Sequence, residues 1–298
     1  HQTAVYYRPE GIECPVADMK ILKTGKSGLS QTNLEDISYS LNIVKYFDKP
    51  ACAIMKHVNP SGVAVSNGTH TIKEVYMRAR DCDARAAFGS VVTFNVRVSS
   101  ETAVEIMSSF VECVVAPDFD EEAIKIFNDG ENYKLNKQIR IIKCCKISQL
   151  PRFVGEEKPI HYTMKTLADG SIIMAAPLLT NLKSSSDIKP AKAENKTFRS
   201  IECLHVPDSR QVSDLMTAWY INLSVRSNGV VIIKNGQTLA VGTGEQDRVG
   251  AVEQAVWKYH NKYKGIENID GAVMASDGFF PFPDAVEVAA KAGVKAII

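Results

Sequence analysis

Apolar positions recur at helical spacing in residues 33–47, NLEDISYSLNIVKYF, where Leu34, Ile37, Leu41 and Val44 share one face and Thr32 or Asn33 stands ready as a cap. After Pro50 the continuous apolar run ACAIM reads as a buried strand ending at Lys56, and NPSG beyond it as a turn. Helical patterns near 71–82 and 100–110 alternate with strands near 90–95 and in VECVVAP. DEEAIKIF is helical, and QIRIIKCC closes the first half as a strand. This alternation predicts an α/β fold with a largely parallel sheet. Residues 148–200 break the pattern: LKSSSDIKPAKAENK is rich in Lys and Ser and reads as a loop or linker. A second α/β block follows. Its helix at 210–226 carries Val212, Leu215, Met216, Trp219 and Leu223 on one face. VVIIK and QTLAVG flank Asn235-Gly236, a strong hairpin signal. A helix near 248–263, the strand VMAS, the helix AVEVAAKAG and a last strand complete the chain. The organisation expected is therefore 1–147, a first α/β unit; 148–200, a linker; and 201–298, a second α/β unit cut short at its C-terminus. The two units allow a distant duplication, which the sequence does not itself display.

Composition narrows the class. The chain has 298 residues with 45% apolar and 23% charged, ordinary for a globular protein with a sizeable core. A formal net charge of +1 gives no global field for nucleic acid or a membrane surface, while a local basic pocket for a small anion stays open. No apolar stretch approaches the roughly 20 residues of a membrane helix. Seven irregularly spaced cysteines, Cys144 and Cys145 adjacent among them, suit neither a disulfide framework nor a zinc knuckle. Reduced, largely buried thiols in the cytoplasm are expected. The chain opens at His1 and closes inside the apolar run VKAII, so a fragment is expected.

Four segments carry candidate chemistry. IMKHVNPSGV sets Lys56 beside His57 at a strand end, where α/β folds build sites and where burial can tune both groups toward neutral pH. Strand neighbours point to opposite faces, so both reach one site only if the strand ends there, a turn that Pro60 and Gly62 would fix. On residue types alone an ordinary strand exit with solvated side chains is the simpler account. Ala87-Phe88-Gly89 is weak by itself. GTGEQDR brings Gly242 and Gly244 to a predicted helix start, where backbone amides can hold an anion, with Arg248 as a bidentate partner or a solvated first-turn residue. SDGFFPFPD spends Phe279, Phe280 and Phe282 in a loop, either as a wall for a flat heterocycle or as packing, and Asp284 could simply cap the next helix. The zinc deaminase signature, the Walker A loop and GxSxG are missing. His70, His161, His205 and His260 form no ligand spacing.

Taken together, KHVNPSGVA, the AFG segment, VECVVAP with DEEA after it, RSNGVVIIKNGQTLAVGTGEQDR and SDGFFPFPD resemble, in collinear order from His1 to Ile298, the aminoimidazole carboxamide ribonucleotide (AICAR) transformylase family. That family forms the C-terminal region of a bifunctional purine enzyme. The Lys-His-x-Asn-Pro and Ser-Asp-x-Phe-Phe-Pro-Phe segments are the specific ones, and they move Lys56-His57 to a functional reading. The resemblance implies two three-layer α/β/α domains like those of cytidine deaminases, without zinc, in an intertwined homodimer with shared sites. It implies formyl transfer from 10-formyltetrahydrofolate to the amine of AICAR, in purine biosynthesis leading to IMP, with no metal in the chemistry; it allows a structural potassium ion. By motif match, Lys56 and His57 take the catalytic positions and Asn228 joins them as the carboxamide contact. Asn59, Phe88, Gly89, Glu112, Gln246, Arg248, Asp277, Phe279, Phe282 and Asp284 fall at substrate positions. In this chain Pro283 replaces an Arg common in the family, and an Arg-Tyr-Gly segment, a C-terminal basic segment and the cyclohydrolase domain are not in it. The implied roles are His57 as general base, with Lys56 and Asn228 stabilising the oxyanion or protonating the leaving nitrogen. The alternatives are a piece of a formyltransferase/cyclohydrolase, a non-catalytic nucleotide binder, and a relative of the zinc deaminases.

Overall fold

The computed structural model describes residues 4–195, 199–203 and 206–298; His205 lies outside them. One mixed sheet of ten strands organises the chain. From the first half come β1 (Lys20–Lys23), β2 (Ala51–Lys56), β3 (Asn59–Val65), β4 (Val91–Phe94), β5 (Cys113–Ala116) and β6 (Arg140–Lys143). Helices α1 (Gln31–Val44), α2 (Ile72–Arg80), α3 (Ala84–Ala87), α4 (Ser100–Met107) and α5 (Glu121–Asn128) connect them. Between the halves lie the hairpin of β7 (Thr163–Thr166) and β8 (Ile172–Ala175) and the pair β9 (Lys192–Asn195) and β10 (Arg199–Glu202). The second half supplies β11 (Val230–Lys234), β12 (Gln237–Gly242), β13 (Val273–Ser276) and β14 (Ala296–Ile297), with α6 (Ser209–Asn222), α7 (Arg248–Lys262) and α8 (Asp284–Ala292).

The strand order is β1-β6-β5-β4-β2-β3-β12-β11-β13-β14. Among the described strands of this sheet, parallel pairing is confined to β4-β5-β6 and β13-β14, so the largely parallel sheet expected from the alternation is corrected to a mixed one. The physical reason is that the hairpins β2–β3 and β11–β12 place four antiparallel strands at the centre. The stretch 148–200 is mostly irregular, as its composition suggested, but holds strands the composition did not show.

The halves repeat one plan. Helix α1 and helix α6 each run 14 residues, with capping boxes built by Ser30 and Asn33 in one and Asp208 and Gln211 in the other. Ser30 is thus the N-cap that the sequence left to Thr32 or Asn33. Each helix precedes a hairpin, β2–β3 or β11–β12, whose first strand pairs antiparallel with β4 or β13. These hairpins meet at the seam: Gln237 pairs with Ala64, Val65 N–H donates to Gly236 O at 2.7 Å, and the buried Thr238 hydroxyl bonds both Val63 N and Val63 O. Strand alternation sorts the layers. Ala51, Ala53 and Met55 share one apolar cluster with Ile37 and Leu41 of α1 and Leu215 and Ile221 of α6. Cys52 and Ile54 face Val75 of α2 and Ile106 of α4, and Ile232 and Met274 face α7 and α8. Among the described residues no helix is long and apolar enough to cross a membrane. Burial raises the Cys82 and Cys144 thiols to about 12, which keeps them protonated and unreactive.

Candidate active site

At one edge of the sheet β2, β12, β13 and β14 end while β3, β4, β5 and β11 begin. Nearly every candidate residue stands on that edge. The Lys56↔Asn59 pair closes hairpin β2–β3 around a two-residue apex, His57-Val58, with φ of 54° and 55°. NPSG is therefore the start of β3 and not the turn; the reversal comes two residues earlier, because the buried Asp36 carboxylate accepts from His57 N–H at 3.2 Å and Val58 N–H at 2.6 Å. Burial raises the Asp36 carboxyl above its ordinary value, against the lowering pull of those two amides.

The apex brings to one cavity two side chains that an unbroken strand would send to opposite faces. Lys56 Nζ donates to Phe88 O at 2.6 Å, and the His57 imidazole is exposed. Both border a cavity of about 210 Å³ that Asn59, Asp83, Thr243 and Lys258 also line. Burial lowers the Lys258 ammonium, which donates to Val241 O at 2.8 Å. Phe88 is half exposed with its ring centroid 5.1 Å from that of Phe110. Gly89 turns there with φ +71°, a conformation that suits glycine. Glu112, at the entry to β5, accepts from Asn33 Nδ2 at 3.0 Å.

Asn59 ties this apex to the second half, since its Oδ1 accepts from Thr243 Oγ1 at 2.8 Å and Arg226 N–H at 3.2 Å. Asn228 follows at the α6–β11 junction, with Nδ2 donating to Glu245 O at 2.9 Å. Arg248 is neither free nor solvated: its guanidinium pairs with the Asp277 carboxylate and reaches Ser276 Oγ at 3.3 Å. Burial pushes the Asp277 carboxyl up, but Ser227 and Arg248 outweigh it and hold the group below the ordinary range. The glycine turn does not open α7 as an anion seat. Asp247 is the cap, and its carboxylate takes Gly250 N–H at 2.7 Å, the kind of donor an anion would use. Asp284 is the first residue of α8, behind Pro283 as N-cap, so its capping role is corrected as well.

The edge does not gather everything. Gln246 is exposed, and Phe279 and Phe282 stand 82% and 68% exposed, outside the cavity lining, while Phe280 packs on the α7–α8 cluster. Asn33, Asp36, Asp83, Thr243 and Lys258 belong to the neighbourhood and were not singled out from sequence. Asn33 and Asp36 did carry a signal: polar residues in phase with Ile37, Leu41 and Val44 on the buried stripe of a helix.

A family model described as AICARFT/IMPCHase bienzyme matches residues 1–258. The chain belongs to the AICARFT/IMPCHase bienzyme family. Similar curated proteins carry the name bifunctional purine biosynthesis protein PurH. That of Clostridium botulinum (strain 657 / Type Ba4) is 35% identical over 300 residues, spanning 100% of this chain and 51% of that protein. That of Magnetococcus marinus is 36% identical over 306 residues, spanning 100% and 52%. That of Caldicellulosiruptor saccharolyticus is 32% identical over 302 residues, spanning 100% and 51%. The chain thus spans about half the length of the relatives it matches in the AICARFT/IMPCHase bienzyme family.

Proposed function

We propose that this chain is the formyltransferase region of a PurH-type enzyme. It moves the formyl group of 10-formyltetrahydrofolate to the 5-amino group of AICAR. The observation that carries the reading is the Lys56-His57 apex, set at the mouth of a cavity and bonded through Asn59 to the loops that hold Asn228 and Arg248. Family membership supports it.

The amine of AICAR is a weak nucleophile because its lone pair is delocalised into the ring and carboxamide. A new N–C bond to the formyl carbon forms a tetrahedral oxyanion, and the C–N bond to folate then breaks. His57, exposed at the apex, takes the proton from the attacking amine. Lys56 Nζ, already a donor to Phe88 O, stabilises the oxyanion or protonates the departing nitrogen. Asn228 keeps its side-chain oxygen and one N–H for the substrate carboxamide, since Nδ2 spends one N–H on Glu245 O. Phe88, Gly89 and Glu112 bound the nucleotide side, with Gln246, Arg248, Asp277 and Asp284 beyond the seam. Juxtaposing the two substrates supplies much of the remaining acceleration. Release of tetrahydrofolate from 10-formyltetrahydrofolate by the full-length enzyme, dependent on AICAR, is the expected result; its absence rejects the reading.

The exposed rings of Phe279 and Phe282 form the folate wall in this proposal. Phe279→Ala is expected to raise the folate KM by about tenfold while the nucleotide KM moves far less. Equal weakening of both substrates rejects the wall.

We also propose a homodimer with shared sites, on a specific observation. The hairpin β7–β8 is exposed at every residue, with Met164, Ile172 and Met174 at 69%, 64% and 60%. A lone two-stranded hairpin is marginal in water, and an apolar patch of this kind marks an interface. A monomeric mass in solution at working concentrations would overturn that part. The units 1–147 and 201–298 are the two arms of the repeat in this reading, joined through 148–200. A structural potassium ion belongs to this proposal, at the α6–β11 junction; the support is one buried oxygen, Asn222 Oδ1, without a partner beside Gly229, whose carbonyl already accepts from Asp277 N–H at 3.1 Å and Asn222 Nδ2 at 3.4 Å. It would brace the 226–229 loop, and no step of the transfer runs through it. Thermal stability indifferent to replacing potassium by a bulky organic cation removes it.

A further inference from the structure

A two-residue hairpin apex of the I′ type has positive φ at both positions, which is why Asn-Gly dominates such turns. The second half obeys: Asn235 and Gly236 stand at 51° and 73°. The first half does not, because its apex is His57-Val58, and a β-branched residue in the left-handed region is an outlier. Such a conformation persists only where the surroundings over-determine it. Val58 is buried and Asn59 Nδ2 donates to His57 O at 3.3 Å, but both apex amides are taken by one side chain. Asp36, 4% exposed on α1, places Oδ2 on the His57 amide and Oδ1 on the Val58 amide. The repeat offers an internal control. Asp214 on α6 does the same for Asn235 N–H at 2.7 Å and Gly236 N–H at 2.8 Å, where the turn residues adopt the shape unaided. One turn before Asp36, Asn33 holds Glu112. A single helix therefore addresses two parts of the proposed site.

We infer that Asp36 is the positioning residue of the site: its carboxylate fixes the strained His57-Val58 apex, and so holds His57 at the cavity mouth that Lys56 also borders. The kinetic consequence rests on the formyltransferase reading; the clamp itself does not. In the inferred state, loss of one carboxylate oxygen leaves one apex amide facing an NH₂ group, and the turn relaxes away from the shape valine disfavours.

The test compares Asp36→Asn with Asp214→Asn in the full-length enzyme. Asp36→Asn is expected to lower kcat by about 10- to 100-fold, as a misplacement near 1 Å does, with the nucleotide KM changed less than about threefold. Asp214→Asn is expected to hold kcat within about twofold, with a comparable loss of melting temperature. Asp36→Asn/Val58→Gly is expected to regain most of the lost kcat, because glycine takes positive φ freely. Equal kcat losses in the two single variants, an unchanged kcat in Asp36→Asn, or no rescue by glycine overturns the inference. Should Asp36→Asn fail to fold, Asp36→Glu keeps both oxygens at a longer reach and carries the same kcat comparison. Amide hydrogen exchange supplies a readout independent of chemistry: His57 and Val58 lose protection selectively in Asp36→Asn. If the unaltered enzyme transfers no formyl group, the functional reading falls and exchange alone judges the clamp; unchanged exchange overturns it.

Discussion

His57→Ala in the full-length enzyme is expected to lower kcat for formyl transfer by about 10²- to 10⁴-fold, the usual contribution of a positioned general base. The imidazole is exposed at the apex and packs in no core, so its removal leaves the fold intact. Alanine keeps the backbone amide that Asp36 receives. Nucleotide binding, measured by calorimetry, is expected to survive because Asn228, Glu112 and the Phe88-Gly89 segment are untouched. A variant that turns over at the parent rate would take His57 out of the mechanism. Lost binding together with lost turnover would make it a binding group instead.

The second large effect concerns stability. A Cβ built on Gly62 would lie 1.9 Å from Ala79 O and 2.8 Å from Cys82 Cβ, so α2 rests directly on β3. Gly62 has ordinary backbone angles, so any loss on substitution arises from contact alone. Gly62→Ala must push a helix backbone aside, and the expected loss is about 3 kcal/mol, the upper part of the range for overpacking. In a chain of 298 residues that corresponds to a fall of roughly 5 °C in Tm. A Tm within about 1 °C of the parent would show that α2 yields without resistance.

Much of this architecture could be read from the residues. The stripe of Leu34, Ile37, Leu41 and Val44 gave α1, and Asn235-Gly236 gave the hairpin β11–β12. The matching hairpin β2–β3 was not legible, because His57-Val58 contradicts turn chemistry and is held by a carboxylate 21 residues earlier in the chain. Strand direction was illegible for a related reason: ACAIM has the same apolar run whether its neighbour is parallel or antiparallel. Lys56 and His57 were found as a pair from adjacency, but the turn that lets both reach one site was attributed to Pro60 and Gly62, which lie within β3. Arg248 stood out in the sequence by its place at a helix start, but its pairing with Asp277, 29 residues away, lay beyond the reach of local pattern. The phenylalanine loop was conspicuous by composition alone, which did not tell the packed ring of Phe280 from the exposed rings of Phe279 and Phe282.

The seam between the two hairpins has an implication for how such a repeat can exist at all. A unit ending at β3 or at β12 would present a bare row of donors and acceptors, open to any passing chain. By pairing Gln237 with Ala64 and threading the Thr238 hydroxyl onto both polar atoms of Val63, each half occupies the strand edge of the other. The join between the halves is thereby also the cover for the edge that each half would otherwise expose.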